Sequence, residues 1–546
     1  MTDIPGQFTA KPDPGRLSAL AALVNARRFD EALRLAETLL REGAVHPLPM
    51  RIVAAARRQA GRFGEALDLY QQLTELSPNA PQAWAALADG LSAARRPEEA
   101  ITAWDRALTL APNDSGLLCG KAAVLQGLSW LDTAQSLFEQ ALAAEPARFE
   151  AQFGLAGIAL DMGELERAKA LSADLLARHA GRPAAVWLAA RIAHARGDFA
   201  AVVELTRSVL ARADVSSDQR AEALLLQSLA LDASGRVDEA FAAAVKGKAM
   251  QHALYAERAA GRESEVGKMR RLAAWFSAAD PAPWRSAPDE VVMTGSARTH
   301  VFLFGFPRSG TTLLEQALAG HPEVLALEEA PTLAETYAEF LTTAEGLTRL
   351  STLDEAGARL WRSRYWSEVT AQGRVPAGKL FVDKAPAGTL YLPLVAKLFP
   401  NAKVLFAVRD PRDVVLSCFR NNFQLNAMTY AFTDLMEAAA CYEACMAMSE
   451  VYRRVLPLNL HEVRHEALVE NFDRELATIA AFLGIEVTPE MADIAGTSAR
   501  RAVRTPSAVQ VRQGLNQKGV ARWRAYEKHL APVAPVLAPW VERWGY

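Results

Sequence analysis

The residues with the clearest potential for chemistry form a short loop, PRSGTT, in the second half of the chain. The apolar run HVFLFGF precedes this loop, which predicts a strand that leads into a glycine-containing turn and then a helix. Backbone amides at such a helix start bind anions, and the guanidinium of Arg308 adds a planar fork for oxyanions. The loop therefore predicts a site for a phosphate or sulfate group. Its candidate binding residues are Pro307, Arg308, Ser309, Gly310, Thr311 and Thr312.

The same loop has the two-glycine spacing of a Walker loop, with Gly305 and Gly310 at the two conserved positions of that motif. Thr311 stands where a Walker loop has its lysine. Enzymes that transfer or hydrolyse the γ-phosphate of ATP or GTP need that lysine to hold the β- and γ-phosphates. The sequence therefore argues against a small-molecule kinase and against a nucleoside triphosphatase.

A second motif, AKVLFAVRDPRDVVLS, predicts a strand that ends near Arg409, a turn, and a helix that carries Ser417. In combination with PRSGTT, this motif resembles the sulfotransferases, in which the first loop binds the 5′-phosphosulfate of 3′-phosphoadenosine 5′-phosphosulfate (PAPS). The resemblance implies that PAPS is the co-substrate. It also implies that Arg409 and Ser417 bind the 3′-phosphate.

Residues 299–546 most closely resemble the tyrosylprotein sulfotransferases and their repeat-linked bacterial relatives. The segment GHPEVLALEE implies a catalytic glutamate at Glu329, and the segment FVDKAP implies a catalytic lysine at Lys384. The segment TPSAVQV, followed later by RW, resembles the lid that closes over the cofactor. This last likeness implies cofactor contacts for Ser507 and for Arg522, which stands where the family often has lysine.

This sequence departs from the family in two places. Ala330-Pro331 follow Glu329, and the arginine that helps the tyrosylprotein enzymes to hold an acidic peptide is missing. His465, in the segment EVRHEALV, stands where a tyrosine is usual. The first departure leaves the acceptor open, as a protein tyrosine, a glycan or a small molecule. The second departure concerns only the packing around the cofactor.

The transfer that the resemblance implies needs a base and cations. A hydroxyl that attacks sulfur must lose its proton, and Glu329 is the candidate base. Negative charge develops on the leaving phosphate, and Arg308 and Lys384 are the candidate cations that neutralise it. We expect no metal ion, because a sulfuryl group carries less charge than a phosphoryl group.

Several of these residues have a second interpretation. Glu328 is the base if Glu329 is only an acid at a helix start, and Lys384 could instead be a solvated lysine at a strand end. Arg412 pairs either with a phosphate or with Asp410. The histidines of this region are expected to pack or cap, or to lie beside the cofactor: His321, His461 and His465.

The first half of the chain is built from a 34-residue repeat. The phrases RFDEAL, RFGEAL, RPEEAI, WLDTAQ and ELERAK recur at this step. A period of 34 with this pattern resembles the tetratricopeptide repeat (TPR), a helix–turn–helix unit whose copies stack into a solenoid with a concave face. Val202 continues the step, and Ala240 follows four residues late. The repeating positions are Ala32, Ala66, Ala100, Ala134 and Ala168, with Pro78, Pro112 and Pro146.

These patterns predict an all-α TPR solenoid followed by an α/β, P-loop-like sulfotransferase domain with a parallel sheet. We expect a disordered N-terminus over residues 1–14, TPR repeats over 15–255, a helix and proline-rich linker over 256–298, and the sulfotransferase domain over 299–546. The linker is predicted from DPAPWRSAPDE, in which prolines interrupt any helix. A shortened chain that begins near residue 290 is expected to keep cofactor binding, since the motifs lie beyond that point.

Composition is that of an ordinary globular protein, with 51% hydrophobic and 23% charged residues. The net charge of −3 gives no reason to expect a nucleic-acid partner. The N-terminal residues lack the apolar core of a secretory signal, and no stretch reaches the roughly 18 apolar residues that span a membrane. Four cysteines in a chain of this length do not make a disulfide framework. We therefore expect a cytoplasmic protein without a membrane span, and a homo-oligomer is compatible with the sequence.

The sequence-based prediction is a PAPS-dependent sulfotransferase that acts on a hydroxyl acceptor, with the TPR array as a surface that binds proteins or recruits the acceptor. The alternative is a TPR scaffold whose nucleotide-binding domain is inactive. The intact pair of motifs and Glu329 argue against that alternative. If the array binds no peptide or protein, it is a spacer or a dimerising arm.

Overall fold

The structure is a computed structural model, and it divides the chain into two compact units, Met1–Ile192 and Ala193–Tyr546. Residues 1–12 of the expected N-terminal segment lie outside the described residues. In the part of the chain that the structure describes, no helix is long and apolar enough to cross a membrane. The described residues are 13–128, 130–179, 181–285, 296–500, 514, 515, 517 and 519–546.

Helices occupy the region in which the sequence predicts the repeats. Within the described residues, α1–α14 alternate as the first and second helices of seven repeat units, which confirms the predicted all-helical array. The helices are α1 (Pro14–Asn25), α2 (Phe29–Arg41), α3 (Pro47–Gln59), α4 (Phe63–Leu76), α5 (Pro81–Ala93), α6 (Pro97–Leu110), α7 (Ser115–Gly127), α8 (Leu131–Ala144), α9 (Phe149–Asp161), α10 (Leu165–His179), α11 (Pro183–Ala195), α12 (Phe199–Leu210), α13 (Ser217–Ala233) and α14 (Val237–Ala259).

The 34-residue period reflects the way in which neighbouring repeat units pack against each other. Trp104 and Phe138 are one step apart, and each lies against a glycine of the next unit, Gly120 and Gly154, where an added methyl group would clash. At both positions, a large ring therefore fills the space that the missing side chain leaves. The repeating alanines, on the second helix of each unit, are no more than 1% exposed: Ala32, Ala66, Ala100, Ala134 and Ala168.

The rest of the chain combines further helices with five strands. Its elements are α15 (Glu265–Ala278), α16 (Ala282–Arg285), β1 (Thr299–Gly305), α17 (Thr311–Ala319), β2 (Val324–Glu328), α18 (Ala334–Phe340), α19 (Ala344–Ser351), α20 (Glu355–Ala371), β3 (Leu380–Lys384), α21 (Leu392–Leu398), β4 (Lys403–Val408), α22 (Pro411–Arg420), α23 (Ala427–Ala431), α24 (Leu435–Val455), β5 (Asn459–Arg464), α25 (His465–Glu470), α26 (Phe472–Leu483), α27 (Ile494–Arg500), α28 (Glu527–Leu530) and α29 (Ala534–Trp544). Short 3₁₀ turns lie at Pro386–Tyr391, Pro489–Met491 and Arg522–Tyr526.

The five strands form one parallel sheet in the order β2-β3-β1-β4-β5. The central strand, β1, pairs with β3 on one side and β4 on the other, so that Val301 lies between Val382 and Lys403. The connections therefore run first to one side of β1 and later to the other. Open α/β sheets bind their ligands beyond the carboxyl ends of the strands at such a reversal. The parallel sheet confirms the predicted α/β class.

Two apolar cores cover the faces of this sheet. Because alternate residues of a strand point to opposite faces, Phe302 of β1 lies in one core and Val301 in the other. The core that contains Phe302 also contains Phe276 of α15 and Trp284 of α16, both at most 1% exposed. Helices that precede the sheet are thus part of its core. The domain limits that we expect at residues 255 and 299 remain predictions, and buried contacts cross the second of them.

Candidate active site

Each of the five strands ends beside a residue that the sequence analysis assigns to the site. β1 leads into the PRSGTT loop, Glu329 follows β2, Lys384 ends β3, Arg409 follows β4, and His465 follows β5. Because the carboxyl ends of parallel strands lie at one edge of the sheet, the fold gathers these residues there. The strand order puts Glu329 and Lys384 on one side of the loop, and Arg409 and His465 on the other.

The PRSGTT loop is a tight turn at the start of α17. Gly310, the residue before the helix, has a φ of 95°, and a Cβ atom added there would lie 2.5 Å from Nδ1 of His465. Glycine is therefore required at this position for both backbone and spatial reasons. Ser309, Thr311 and Thr312 are buried. Their amides open the helix, which is the arrangement that favours an anion.

The two motifs that the sequence analysis singled out are in direct contact. Nε of Arg308 donates a hydrogen bond to Oγ of Ser417 at 2.9 Å, and Nη1 of Arg409 donates to the backbone oxygen of Arg308 at 3.0 Å. Burial, and then the nearby charge of Arg409, lower the pKa of the Arg308 guanidinium to about 10. Arg308 therefore remains charged at neutral pH. Two buried guanidinium groups at one helix start form an attractive site for an anion.

Arg409 is also held by the C-terminal segment. Its Nη2 donates to the carbonyl of Gly519 and lies 4.0 Å from the carboxylate of Asp413, one turn along α22. The backbone amide of Trp523 donates to the other oxygen of Asp413 at 2.7 Å. Burial raises the pKa of Asp413 to about 6. The segment from Gly519 to Trp523 thus lies against the predicted 3′-phosphate site.

His465 is a neutral imidazole between the two arginines. Burial, followed by the charges of Arg409 and Arg308, holds the pKa of His465 well below its ordinary value. Its Nδ1 has no hydrogen-bond partner among the described residues. The Gly310 contact and this electrostatic coupling agree with a position beside the cofactor.

These features fit a ligand with more than one anionic group. Two buried hydrogen-bonding atoms, Nε of Arg409 and Nδ1 of His465, have no partner within the described residues. Gly310 keeps the turn open, and the guanidinium groups of Arg308 and Arg409 supply positive charge. Among the described residues, no group of three or more His, Cys, Asp or Glu side chains could hold a metal ion.

On the other side of the loop, Lys384 lies within reach of three carboxylates. Its Nζ is 2.7 Å from Oε1 of Glu329, 3.3 Å from Oε1 of Glu328 and 3.4 Å from Oε2 of Glu315. The Lys384 side chain is 0% exposed, which is at odds with the alternative of a solvated strand-end lysine. Burial by itself lowers the pKa of Lys384, but the carboxylates, led by Glu315, outweigh it and raise that pKa. The lysine is therefore a permanent cation.

The backbone distinguishes Glu329 from Glu328. Glu328 ends β2, whereas Glu329 has a φ of 49°, and its amide donates to the carbonyl of Lys384 at 2.8 Å. The Glu329 side chain is 44% exposed and that of Glu328 is 18% exposed. Arg308, with a φ of 73°, is one of four further non-glycine residues in the left-handed region among the described residues. Such conformations are costly and cluster at functional sites.

A buried hydrogen-bond network that the sequence analysis missed supports this side of the site. Oδ2 of Asp383 accepts from Oγ1 of Thr332 at 2.7 Å and from the hydroxyl of Tyr365 at 2.8 Å, and that hydroxyl lies 2.8 Å from Nε2 of His300. Burial, opposed by these two hydrogen bonds, raises the pKa of Asp383 to about 6. Thr332 follows the Glu329 turn, and Asp383 precedes Lys384. A lone carboxylate inside an apolar strand was the signal available in the sequence.

The remaining predicted residues have varied environments. Arg412 pairs with Asp410, with Nη2 2.7 Å from Oδ2, and its guanidinium carbon lies 3.7 Å from the ring centroid of Trp523. This observation favours the Asp410 alternative. Arg522 forms a salt bridge with Asp232 of α13. Ser507 lies outside the described residues.

Two histidines have structural partners. Nδ1 of His321 accepts a hydrogen bond from the amide of Glu323 at 3.1 Å, which closes the turn between α17 and β2. The ring of His461 in β5 stacks on Phe482, with 5.2 Å between the centroids. Both contacts agree with the packing roles expected for these residues.

Comparisons with known proteins agree with the two-part organisation. Residues 300–489 match the model of the sulfotransferase family, and residues 20–81, 57–118 and 131–192 match models of the tetratricopeptide repeat. Solved TPR structures are also similar, among them a TPR protein from Parabacteroides merdae with 15% identity and a TM-score of 0.37, which covers 43% of this chain and 92% of that one.

Two proteins illustrate the sequence similarity of this chain to known proteins. An uncharacterised protein from Aquifex aeolicus is 30% identical over 261 residues, which are 45% of this chain and 34% of that protein. Protein-tyrosine sulfotransferase 2 from Gallus gallus is 28% identical over 269 residues, which are 45% of this chain and 69% of that protein. This chain thus spans about a third of the length of the first relative. It carries tetratricopeptide repeats followed by a sulfotransferase-family domain.

Proposed function

We propose that this protein transfers a sulfuryl group from PAPS to a hydroxyl acceptor. The proposal rests on two groups of contacts at the carboxyl edge of the sheet. In the first, Arg308 contacts both Ser417 and Arg409. In the second, the strained Glu329 pairs with Lys384. When bound, PAPS supplies the sulfuryl group. Arg409 and Ser417 hold the 3′-phosphate, and the PRSGTT loop holds the 5′-phosphosulfate.

Glu329 accepts the proton of the attacking hydroxyl in this proposal. Its side chain is partly exposed, so an acceptor can reach it, and the buried ammonium of Lys384 fixes its position. Lys384 and Arg308 neutralise the negative charge that develops on the leaving phosphate oxygen. Positioning and charge neutralisation thus supply most of the catalysis, as in phosphoryl transfer.

The acceptor class is open among a protein tyrosine, a glycan and a small molecule. Relatives named protein-tyrosine sulfotransferases support a tyrosine acceptor. Ala330-Pro331, next to the base, do not supply the arginine of the tyrosylprotein enzymes. We also propose that the TPR array binds proteins or recruits the acceptor, and that the protein is cytoplasmic.

The experiment has a binding arm and a transfer arm. Adenosine 3′,5′-bisphosphate should raise the melting temperature and ATP should not, since a ligand that binds only the native state stabilises it. Radiolabelled PAPS should then label a tyrosine peptide, a glycan or a small hydroxyl compound. Binding without any transfer, across acceptors and cell extract, would favour the alternative of a TPR scaffold with an inactive domain.

A further inference from the structure

Helix α14 carries a polar stripe that faces the segment after α22. Lys248, Gln251, His252 and Tyr255 follow one another at helical spacing, so they share one face. All four side chains contact residues 421–433. Lys248 Nζ is 2.8 Å from the carbonyl of Asn421, and Gln251 Nε2 is 2.7 Å from Oδ1 of Asn422. His252 Nδ1 is 3.0 Å from Oγ1 of Thr433, and the ring centroids of Tyr255 and Tyr430 are 5.2 Å apart.

Lys248 is the unusual member of this stripe. It is 1% exposed, and both of its hydrogen-bond acceptors are uncharged. Its ammonium donates to Oε1 of Gln251 at 3.2 Å and to the Asn421 carbonyl. Burial lowers the pKa of Lys248 to about 7. A buried ammonium with only neutral partners is costly, and a bound anion nearby would offset that cost.

The contacts of Lys248 lead directly to a predicted ligand of the 3′-phosphate. Asn421 caps the end of α22, and its Nδ2 donates to the carbonyl of Ser417 at 2.8 Å and to Oγ of Ser417 at 3.2 Å. The same Oγ accepts from Nε of Arg308. A hydroxyl oxygen has two lone pairs and one proton. Because both lone pairs of the Ser417 oxygen accept hydrogen bonds, its proton is available for donation to another group.

We propose that Lys248 is a positioning residue for the 3′-phosphate site. It fixes the Asn421 carbonyl, Asn421 engages a lone pair of Ser417, and the Ser417 proton is thereby directed to an anion. In its protonated form, Lys248 also adds positive charge near the site. This inference rests on the proposed function, and it connects α14 to the cofactor site through Asn421.

The test compares two nucleotides in the full-length chain by calorimetry. The wild-type protein should bind adenosine 3′,5′-bisphosphate more tightly than adenosine 5′-monophosphate. Lys248→Met should weaken the bisphosphate by about tenfold or more, the effect of one charge-assisted hydrogen bond, and leave the monophosphate nearly unchanged. Lys246→Met is the matched control, because Lys246 is exposed on the same helix. It should bind both nucleotides as the wild type does.

A second variant tests the route through Asn421. Asn421→Leu should produce the same selective loss, and the double variant should lose no more than either single one, because both act on Ser417. Lys248→Gln retains a donor for Asn421, so it should keep more bisphosphate affinity than Lys248→Met; if Lys248→Met does not fold, Asn421→Leu carries the test. Equal losses for both nucleotides, no loss, or additive losses would overturn the role of Lys248. If the wild type shows no preference for the bisphosphate, the proposed function itself fails.

Discussion

Glu329 and Arg308 are non-glycine residues that the fold holds in left-handed backbone conformations, with φ values of 49° and 73°. Each such residue costs of order 1 to 3 kcal/mol and persists only where its surroundings determine it. For Glu329 those surroundings are the Lys384 carbonyl and ammonium. The turn places the Glu329 carboxylate on the solvent side of the site, beside the ammonium of Lys384.

Glu329→Gln tests whether this carboxylate is the base. The variant keeps the shape of the side chain and removes its basicity, so the affinity for adenosine 3′,5′-bisphosphate should be nearly unchanged. Turnover should fall by about 10² to 10⁴, the usual contribution of general base catalysis. Initial rates with radiolabelled PAPS and an identified acceptor measure the effect.

Glu328→Gln is the control for that experiment. Glu328 ends β2 and its side chain is only 18% exposed, so it is less accessible to an acceptor than Glu329. Its variant should retain most of the turnover. An inactive Glu328→Gln beside an active Glu329→Gln would reverse the assignment, and full activity in both would place the base elsewhere.

Asp383 gives the protein a specific pH dependence. Its pKa is about 6 in the fold and near 3.8 in the unfolded chain, so the folded state binds more protons between these values. Stability from this group is therefore complete below pH 3.8 and is lost as pH rises through 6, by about 3 kcal/mol in total. Asp383→Asn should remove this loss. Urea unfolding of both proteins at pH 4 and pH 7 measures the difference.

The difference between the proteins isolates Asp383, because the other carboxylates titrate in both. The asparagine oxygen can still accept from Thr332 and Tyr365, which donate to Asp383 in the fold. Parallel pH profiles for the wild type and the variant would show that Asp383 is ionised with little penalty.

At the scale of elements, local sequence patterns were enough to predict the strands that lead into the two motifs. The apolar runs before PRSGTT and RDPRD predicted strands, and the structure has β1 and β4 there. Parallel strands with aligned carboxyl ends then bring Arg308 and Arg409 together. The Asp383–Tyr365 hydrogen bond and the stripe on α14 were not predicted. Their partners are far apart in the sequence, and only tertiary packing makes Lys248 and Asn421 neighbours.

The end of α13 forms a second link to α22. Asp232 accepts from the Tyr526 hydroxyl at 2.6 Å, lies 2.9 Å from Nη2 of Arg420, and forms a salt bridge with Arg522. Burial raises the pKa of Asp232, but Arg420 and the two hydrogen bonds outweigh it, so that pKa is lowered. The contribution of Asp232 to stability is present above about pH 3.8 and is lost as pH falls through the lower folded value.

Asp232→Asn should destabilise the protein by about 3 kcal/mol at neutral pH, because it leaves the buried Arg420 guanidinium without this carboxylate. Urea unfolding measures the change. Asp238→Asn is the control: Asp238 is 65% exposed and pairs with Lys528 and His529, and exposed pairs contribute little. Equal stabilities for the two variants would mean that the Asp232 cluster is not a structural link.

At the scale of the whole molecule, the helices before the sheet belong to the same compact unit as the sheet. Phe276 of α15 and Trp284 of α16 lie in the core that contains Phe302. Losing a large buried side chain costs about 3 to 5 kcal/mol, so losing these two alone approaches the 5 to 15 kcal/mol that stabilise a typical domain. This magnitude argues against the expectation that a chain beginning near residue 290 would keep cofactor binding.

A chain shortened to Ala193–Tyr546 should therefore fold and bind adenosine 3′,5′-bisphosphate with the affinity of the full-length protein. It keeps Phe276, Trp284 and the contacts of Lys248 with Asn421. A chain that begins at Ser296 has all the motifs but none of these contacts, and it should be unfolded or should bind far more weakly. Circular dichroism melting and calorimetry distinguish the two chains. If the shorter chain melts cooperatively and binds with full affinity, α14 and α15 are dispensable, and the site is complete within the sheet and the elements that follow it.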